Sequence, residues 1–538
     1  MKQKLLLAAL SAAGLAASLA AEPSACMDIT LDGIPRFPSD ASESIQAALD
    51  KVRAAGGGKV TVPRGDYLAA GLVLGDNTTL HLDEGATLFG STNIADYVTF
   101  AKLMPEGFDE EKEYAQAQGS KPSHLHSVVG AVLATNVAIE GKGAIDGRGD
   151  LYARYQKRDI RRWRGALFYR CKNVRVEGIT LLKCPLWACY FKECENVVAR
   201  GLTVDSRVCW ENDGIDIEAK NALVEDCVVD TMDDAICLKN DHPDFLVENV
   251  EVRNCRVSSS CNFLKFGTTC FKGFRNCRIH DCKLVPGKTS GWYRHWLHTP
   301  KHRGFPGVTD KITGLGGINI EATDGGSISD VHIWNIDMTE RCVQTPIFIR
   351  LERRHVRRDG APARLENILI ENVRGVGVSS LASSITGVPG LRPRNVTIRN
   401  VDIVLKGGGT VSQASLPVPE CERDYPTTQM FGYHIMPAYA FYLRHADDVR
   451  FENVRVRYSE REERDPVVQD DCTGVTFKDC SFQPPAGSVP VQSTKAYLRP
   501  LMETGLIERS DPGHPNSPQQ KYALTKDGKR RIERVAPL

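Results

Sequence analysis

A short motif that recurs between residues 136 and 451 constrains the fold more than any other feature of the chain. It consists of Asn or Asp, then Val or Ile, then in most copies a polar residue, then an apolar residue. Its copies begin at Asn136, Asn173, Asn196, Asn249, Asn367, Asn395 and Asp448. Alternation of Val or Ile with polar residues has the two-residue period of a half-buried strand. The motif therefore predicts many short β-strands.

The spacing of the copies leaves no room for helices between successive strands. Asn173 and Asn196 are 23 residues apart, and Asn249 and the equivalent Asn276 are 27 residues apart. A crossover helix with its strands needs about 30 residues or more. A strand-rich repeat of about 20–30 residues is typical of a solenoid of stacked coils. We predict an all-β fold, a parallel β-helix.

Two further features fit stacked coils. Residues 42–55 read as a short helix with one apolar face, which would cap the first coil. Cys227, Cys255 and Cys277 stand at equivalent places in their repeats, and Cys480 repeats the pattern. Because equivalent residues of successive coils lie ~4.8 Å apart, we expect a ladder of small buried thiols rather than disulfides. No Cys-x-x-Cys pair with zinc spacing occurs, so we expect no metal site.

Three segments interrupt the rhythm of the coils, at about residues 102–127, 285–316 and 407–440. We expect them to project from the stack as loops, where binding groups often lie. The second contains aromatic and basic side chains between Trp292 and His298. These could form a wall of a sugar-binding groove, or simply pack the loop onto the coils.

The amino-terminal end has the pattern of a secretory signal peptide over residues 1–20. Lys2 and Lys4 precede an apolar run, and small residues surround a cleavage site after Ala20. The run is shorter than the ~20 residues of a membrane-spanning helix. We therefore expect export to the periplasm or the extracellular space, and no membrane partner.

The remaining chain divides into a β-helix domain over residues 21–487 and a tail over residues 488–538. The stretch of the tail that begins at Ala496 reads as a helix ended by Gly505, and residues 521–524 read as a short strand. This end resembles the last helix and wing of the winged-helix modules found in some Fic-family proteins. The preceding helices are missing and the whole chain has a net charge of only +1, so we expect no nucleic-acid partner.

Carboxylates gather in one window of the repeat region. Asp213 lies in Glu-Asn-Asp-Gly-Ile-Asp, and Asp233 and Asp234 follow 20 and 21 residues later, about one coil. Stacked coils would bring the three carboxylates together, and their repulsion would raise at least one pKa. A protonated acid beside ionised acids is the requirement for glycosidic cleavage. A solvated acidic turn or a calcium site would show the same clustering.

Both acidic segments, residues 212–216 and 233–234, resemble the two acidic motifs of glycoside hydrolase family 28, the polygalacturonase-like β-helix enzymes. Four further stretches resemble coils of the same family, the later two those of its bacterial members: residues 56–67, 79–92, 346–351 and 437–445. The resemblance implies a right-handed single-stranded parallel β-helix, the pectin-lyase-like solenoid. It also implies that Asp233 is the general acid, and that Asp213 and Asp234 hold and deprotonate the attacking water. It implies hydrolysis with inversion, although carboxylates about 5 Å apart would be typical of retention. Asp216, which closes the first motif, is a predicted substrate-binding residue.

The sequence departs from the family at two places. Asn262 stands where the family has the His of a Gly-His-Gly element, and we predict that it binds substrate. No base stands between Ile318 and Glu321, where an Arg-x-Lys pair would grip a substrate carboxylate. Lys239, Lys265 and Arg350 are the candidates to replace those cations.

These observations predict a monomeric exported glycoside hydrolase, without cofactor, that acts on pectin-type polysaccharides or oligosaccharides. A polysaccharide lyase or epimerase on the same solenoid is one alternative. It would need a base that abstracts a proton, often beside calcium held by the acids. A carbohydrate-binding solenoid without catalytic activity is the other.

Overall fold

The computed structural model describes residues 27–110, 122–151, 162–209, 211–288, 313–357, 359–415, 417–428, 430–431, 436–486, 507–509 and 522–524. The predicted signal peptide and the loop between Trp292 and His298 lie outside these ranges. Within them, no helix is long and apolar enough to cross a membrane.

The described chain from residue 29 to residue 482 forms one sheet in which neighbouring strands run parallel. Its 30 strands are Ile29–Thr30, Gly58–Val62, Gly65–Leu68, Leu72–Leu74, Thr78–Leu82, Ala86–Phe89, Ser127–Val132, Thr135–Gly141, Ala144–Asp146, Arg164–Tyr169, Lys172–Glu177, Thr180–Leu182, Cys189–Arg200, Thr203–Ser206, Ile215–Glu225, Val228–Thr231, Ile236–Asn240, Val247–Arg253, Arg256–Ser258, Asn262–Cys270, Gly273–Leu284, Gly314–Ala322, Ser327–Leu351, Leu365–Gly377, Ser383–Thr386, Arg394–Gly407, Ala438–Glu460, Asp465–Thr473, Thr476–Lys478 and Ser481–Phe482. The predicted parallel β-helix is confirmed.

Helices are few in the described chain. The predicted cap is the helix Ser42–Ala54, which buries Ile45, Ala48, Leu49 and Val52 against the first coil. The other helical segments are Val411–Ala414 and the 3-10 turns Ile94–Asp96, Phe100–Leu103, Pro122–His124 and Gly149–Leu151.

The strands stack in three columns around an apolar core. One column, which we call the front stack, runs from Leu72–Leu74 through Arg164–Tyr169, Ile236–Asn240 and Gly314–Ala322 to Ser383–Thr386. Its inward side chains form one line: Val129, Ala166, Cys189, Ile215, Ile236, Leu264, Ile318 and Ile347. All are buried in the core. The outward side chains of the same strands are therefore also aligned from coil to coil.

The recurring Asn residues form a hydrogen-bonded ladder at one corner of the solenoid. Each Asn has a positive φ, for example 56° at Asn196, so the chain turns there from one column into the next. The Asn196 side chain donates to Asn173 Oδ1 at 2.9 Å and accepts from Asn221 Nδ2 at 3.0 Å. The ladder continues through Asn77, Asn136, Asn249 and Asn276. The repeat therefore marks corners, where Asn tolerates the left-handed conformation better than most residues.

Asn196→Ala should lower the free energy of unfolding by about 2–4 kcal/mol, because it removes two side-chain hydrogen bonds and leaves Ala in a left-handed conformation. Asn196→Gly loses the same hydrogen bonds without that strain and should cost less. Urea unfolding of the two variants gives the comparison. Equal losses would show that the backbone conformation contributes nothing to the role of Asn.

The cysteine ladder needs one correction. The register aligns Cys227 with Cys255 and Cys255 with Cys282, not with Cys277. Each of these three follows a residue of positive φ at a second corner, whereas Cys277 follows Asn276 at the first. The two corners look alike in sequence, which is why the spacing misassigned Cys277. All four are buried free thiols.

Two buried ion pairs lie on the outward side of the front stack. Lys192 Nζ lies 3.3 Å from Glu218 Oε2, and Arg350 Nε donates to Glu352 Oε2 at 2.8 Å. All four side chains are inaccessible to solvent. Burial raises the pKa of Glu218 and that of Glu352 to about 7, even though the cations oppose the shift. The folded protein therefore binds protons at these sites that the unfolded chain releases.

Because these two pKa values are raised on folding, their contribution to stability should be complete below about pH 4 and should be lost as the pH rises through about 7. A carboxyl whose pKa rises from about 4 to about 7 changes the free energy of unfolding by up to about 4 kcal/mol across that range. Glu218→Gln should flatten the dependence measured by urea unfolding between pH 5 and 8. An unchanged slope would contradict the raised pKa of Glu218.

Two of the three predicted projecting segments are largely described, and they flank the front stack. Leu125 of the first segment, together with Phe100 just before it, packs on Leu167, Tyr169 and Tyr190. Phe431 and Met436 from the third pack on Phe348 and Tyr442. The front stack therefore lies between two walls at opposite ends.

The tail has a small sheet of its own. Ile507–Arg509 pairs antiparallel with Tyr522–Leu524, which fits the predicted strand at residues 521–524. The predicted helix, which ends at Gly505, lies outside the described residues, and the strand Ile507–Arg509 begins after it. The division at residue 488 stays a prediction.

Candidate active site

The predicted acids lie together on the outward side of the front stack. The Gly214 N–H donates to the Asp234 carbonyl at 2.9 Å, and Ile215 pairs with Ile236, so Asp213 stacks directly on Asp234. The next coil places Asn262 beside Asp234, because the Ala235 N–H donates to the Asn262 carbonyl at 2.8 Å. The alignment follows from one coil of about 21 residues between the two acidic motifs.

Asp213 and Asp216 share one buried cation. Lys239 Nζ lies 2.7 Å from Asp213 Oδ2 and 3.3 Å from Asp216 Oδ1. Burial raises the pKa of Asp213 to about 7, with Lys239 opposing the shift and Asp233 adding to it. Burial also raises the pKa of Asp216 well above its usual value. Burial alone would lower the pKa of Lys239, but the charge of Asp213 above all holds it well above its usual value, so Lys239 is a cation.

Asp234 is the acid most firmly held in its ionised form. Lys265 Nζ lies 2.9 Å from its Oδ2, and Asn262 Nδ2 donates to its Oδ1 at 2.7 Å. Burial would raise the pKa of Asp234, but the charges of Lys265 and Lys239 and these hydrogen bonds outweigh it and hold the pKa below its usual value. Asn262 thus contacts the site at the place where the sequence predicted it.

Asp233 has a different environment from its neighbour. Its carboxylate accepts hydrogen bonds from the main-chain N–H groups of Glu211 at 3.1 Å and Asp234 at 2.9 Å. Burial, followed by the charge of Asp234, raises its pKa. Adjacent residues therefore have pKa values moved in opposite directions. Such a pair, one group with a raised pKa and one with a lowered pKa, is suited to general acid–base chemistry.

The position of the family's Arg-x-Lys pair is occupied by Asn319 and Glu321. Asn319 pairs with Lys265 of the preceding coil, and its Nδ2 donates to Glu321 Oε1 at 3.2 Å. Lys265 Nζ lies 3.7 Å from Glu321 Oε2. Lys265 therefore supplies a cation close to the expected place, but Asp234 and Glu321 both compensate its charge.

The prediction for Arg350 is corrected. Its guanidinium donates to the main-chain carbonyls of Gly387 at 3.0 Å, and of Glu420 and Cys421 at 2.8 Å each, besides pairing with Glu352. The side chain is fully buried. Arg350 thus fastens the third projecting segment to the coils, and its donors are already engaged.

Asp233, Asp234 and Cys261 could in principle hold a metal, since their ligand atoms lie within 4.8 Å of one another. Both carboxylates already accept the hydrogen bonds described above. Burial raises the pKa of the Cys261 thiol well above its usual value, and the thiolate is the form that binds metals. The donor set therefore suits proton transfer better than metal binding.

Three residues of the site were missed in the sequence. Trp187 is partly exposed, and its ring lies 4.6 Å from Lys239 Nζ. The sequence showed only that a basic residue is missing near Glu321, and it gave no sign that Glu321 itself belongs to the site. Tyr425, from the third projecting segment, accepts a hydrogen bond from Thr268 Oγ1 at 3.0 Å. A single aromatic or acidic residue carries no spacing signal, and only the folded chain brings Tyr425 here.

Comparison with known proteins agrees with this arrangement. Residues 58–260 match glycosyl hydrolases family 28, and residues 492–525 match the C-terminal domain of Fic-like proteins (filamentation induced by cAMP). A probable polygalacturonase of Vitis vinifera is 27% identical over 34% of this chain and 36% of its own length. An exo-poly-alpha-D-galacturonosidase of Dickeya chrysanthemi is 34% identical over 20% of this chain and 17% of its own length. The chain thus spans about a third or less of these relatives.

Solved structures share the fold. An exopolygalacturonase of Thermotoga maritima has a TM-score of 0.54 and 20% identity, covering 73% of this chain and 91% of its own. A family 28 exopolygalacturonase of Yersinia enterocolitica has a TM-score of 0.53 and 16% identity, covering 86% and 79%. The family match ends two residues before Asn262, where the departures begin. The resemblance to glycoside hydrolase family 28 is therefore confirmed for the coils that carry both acidic motifs, which match that family over residues 58–260.

Proposed function

We propose that the protein is an exported glycoside hydrolase that cleaves pectin-type polysaccharides or oligosaccharides with inversion. The observation that carries the proposal is the adjacent pair Asp233 and Asp234, whose pKa values are shifted in opposite directions. The match of residues 58–260 to family 28 supports the reaction class. Export rests on the predicted signal peptide.

In this mechanism Asp233 protonates the oxygen of the leaving sugar. Asp234, kept ionised by Lys265 and Asn262, accepts a proton from the attacking water. Asp213, which stacks on Asp234, holds the same water and shares its negative charge with Lys239. Water then adds to the anomeric carbon from the face opposite the departing oxygen, which gives inversion.

The arrangement disfavours a lyase or an epimerase. Those reactions need a base strong enough to abstract a proton from the sugar ring, such as an uncharged lysine. Lys239 and Lys265 are the basic groups beside the acids, and both have pKa values held well above the usual range: burial opposes this, but the neighbouring carboxylates outweigh it. Cations of this kind cannot accept a proton.

Asp233→Asn should lower kcat by about 10²–10⁴-fold, because an amide cannot donate the proton that a general acid supplies. Release of reducing ends from pectic oligosaccharides measures kcat, and melting temperature checks the fold. Asp226→Asn removes the same charge from an exposed corner and should leave kcat unchanged. A variant at Asp233 that keeps more than about a tenth of wild-type kcat would exclude it as the acid. Absence of turnover by the wild-type protein would favour a binding protein.

The second prediction concerns the sugar next to the cleaved bond. A uronate beside Asn319 would meet Glu321 and a lysine whose charge is already compensated, so we expect a neutral sugar there. The kcat/KM on an oligosaccharide that alternates galacturonate with a neutral sugar should exceed that on polygalacturonate by about 10-fold or more, since a charged hydrogen bond contributes about 1.5–3 kcal/mol. The double variant Asn319→Arg, Glu321→Lys should narrow the difference.

Both substrates should be compared at equal ionic strength, because exposed charge contacts weaken with salt. The single variant Asn319→Gln leaves the charge of the site unchanged and serves as the control. A wild-type preference for polygalacturonate would contradict the prediction. It would indicate that Lys265 binds the carboxylate of the substrate.

A further inference from the structure

Arg164 is a buried cation on the same face of the front stack as the acids. Its side chain is only 1% exposed. Within the described part of the chain, neither Nε nor Nη1 has a hydrogen-bond partner. A guanidinium has five donors, and an unpaired buried donor costs about 1–3 kcal/mol. Keeping an unpaired donor at this buried position is unfavourable unless a ligand accepts a hydrogen bond from it.

Aromatic rings hold this guanidinium in place. Its central carbon lies 4.8 Å from the ring centre of Trp187 and 5.7 Å from that of Tyr190. Burial lowers the pKa of Arg164 to about 10, so the group is still a cation at neutral pH. Trp187 is partly exposed, and Lys239 lies near its ring as well. The ring therefore connects Arg164 with the acidic centre.

The register fixes how far Arg164 is from the acids. Ala166 pairs with Cys189, and Cys189 with Ile215, so Arg164 lies two coils before Asp213. Two coils correspond to about 10 Å along the solenoid. Ser127, which pairs with Arg164 in the preceding coil, has a buried Oγ that likewise has no hydrogen-bond partner among the described residues. Two unpaired polar side chains therefore stand side by side in one row.

We propose that Arg164 and Ser127 form a subsite for the carboxylate of a uronate whose sugar ring lies on Trp187. The subsite lies between the bond that is cleaved and the amino-terminal end of the solenoid. This inference rests on the proposed function and names the substrate more closely. The carboxylate accepts one charge-assisted hydrogen bond from an unpaired donor of the guanidinium and a second hydrogen bond from the Ser127 hydroxyl. With a neutral sugar beside Asn319 and Glu321, the substrate is a chain that mixes uronic and neutral residues.

The test measures binding, so that it does not depend on turnover. The parent protein is Asp233→Asn, and the ligands are an oligosaccharide of alternating galacturonate and rhamnose and its methyl ester. Arg164→Met, which keeps a long apolar stem beneath Trp187, should weaken calorimetric binding of the acid form about 10-fold or more. Binding of the ester should change less than about 2-fold. Arg164→Lys keeps the charge and should lose less.

Arg175→Met is the matched control, since Arg175 lies in another column and pairs with Glu177 at 2.8 Å; neither ligand should bind differently. Equal losses for acid and ester with Arg164→Met and Arg164→Lys would overturn the proposal, because they would show a structural role. An unchanged affinity, or no binding of the acid form to the parent, would overturn it as well. Acid-specific binding by a wild-type protein without turnover would instead refute only the proposed hydrolysis.

Discussion

Parallel hydrogen bonding between successive coils is the constraint on which the rest of the structure depends. It fixes which residue of one coil lies on which residue of the next, so inward positions merge into a continuous apolar line. The same register aligns the outward positions. Asp213 and Asp234 meet for this reason alone, since 21 residues bring the chain once around the solenoid. The chemistry of the site is thus a consequence of the coil length.

Charge compensation determines how the clustered acids divide their roles. Two buried lysines form ion pairs with different carboxylates of the centre: Lys239 with Asp213, and Lys265 with Asp234. Asp233 has no such cation at contact distance in the described chain and accepts only main-chain N–H groups. Proton affinity therefore differs between residues that are neighbours in sequence. A site built from acids alone could not separate a proton donor from a proton acceptor in this way.

The sequence predicted the solenoid and the acidic cluster because both depend on periodicity. The Asn repeat marks the corners, and the interval between the acidic motifs equals one coil. Prediction from the sequence failed where the periodicity is ambiguous or where it does not apply. Cys277 was misplaced because two corners of a coil share one sequence pattern. The partners of Arg350 could not be predicted, because the carbonyls of Glu420 and Cys421 belong to a distant segment that lies outside the repeat pattern.

The two sides of the acidic centre differ in charge, and this difference has a common origin with the fold. Toward the amino terminus the outward row presents Arg164 over aromatic rings, with donors unpaired. Toward the carboxyl terminus it presents Asn319 and Glu321, with Lys265 already compensated. A uniformly anionic polymer would be attracted to one side and repelled from the other. Because coils are added along one axis, single substitutions in successive coils can specify the successive sugars of the proposed substrate without altering the acidic centre.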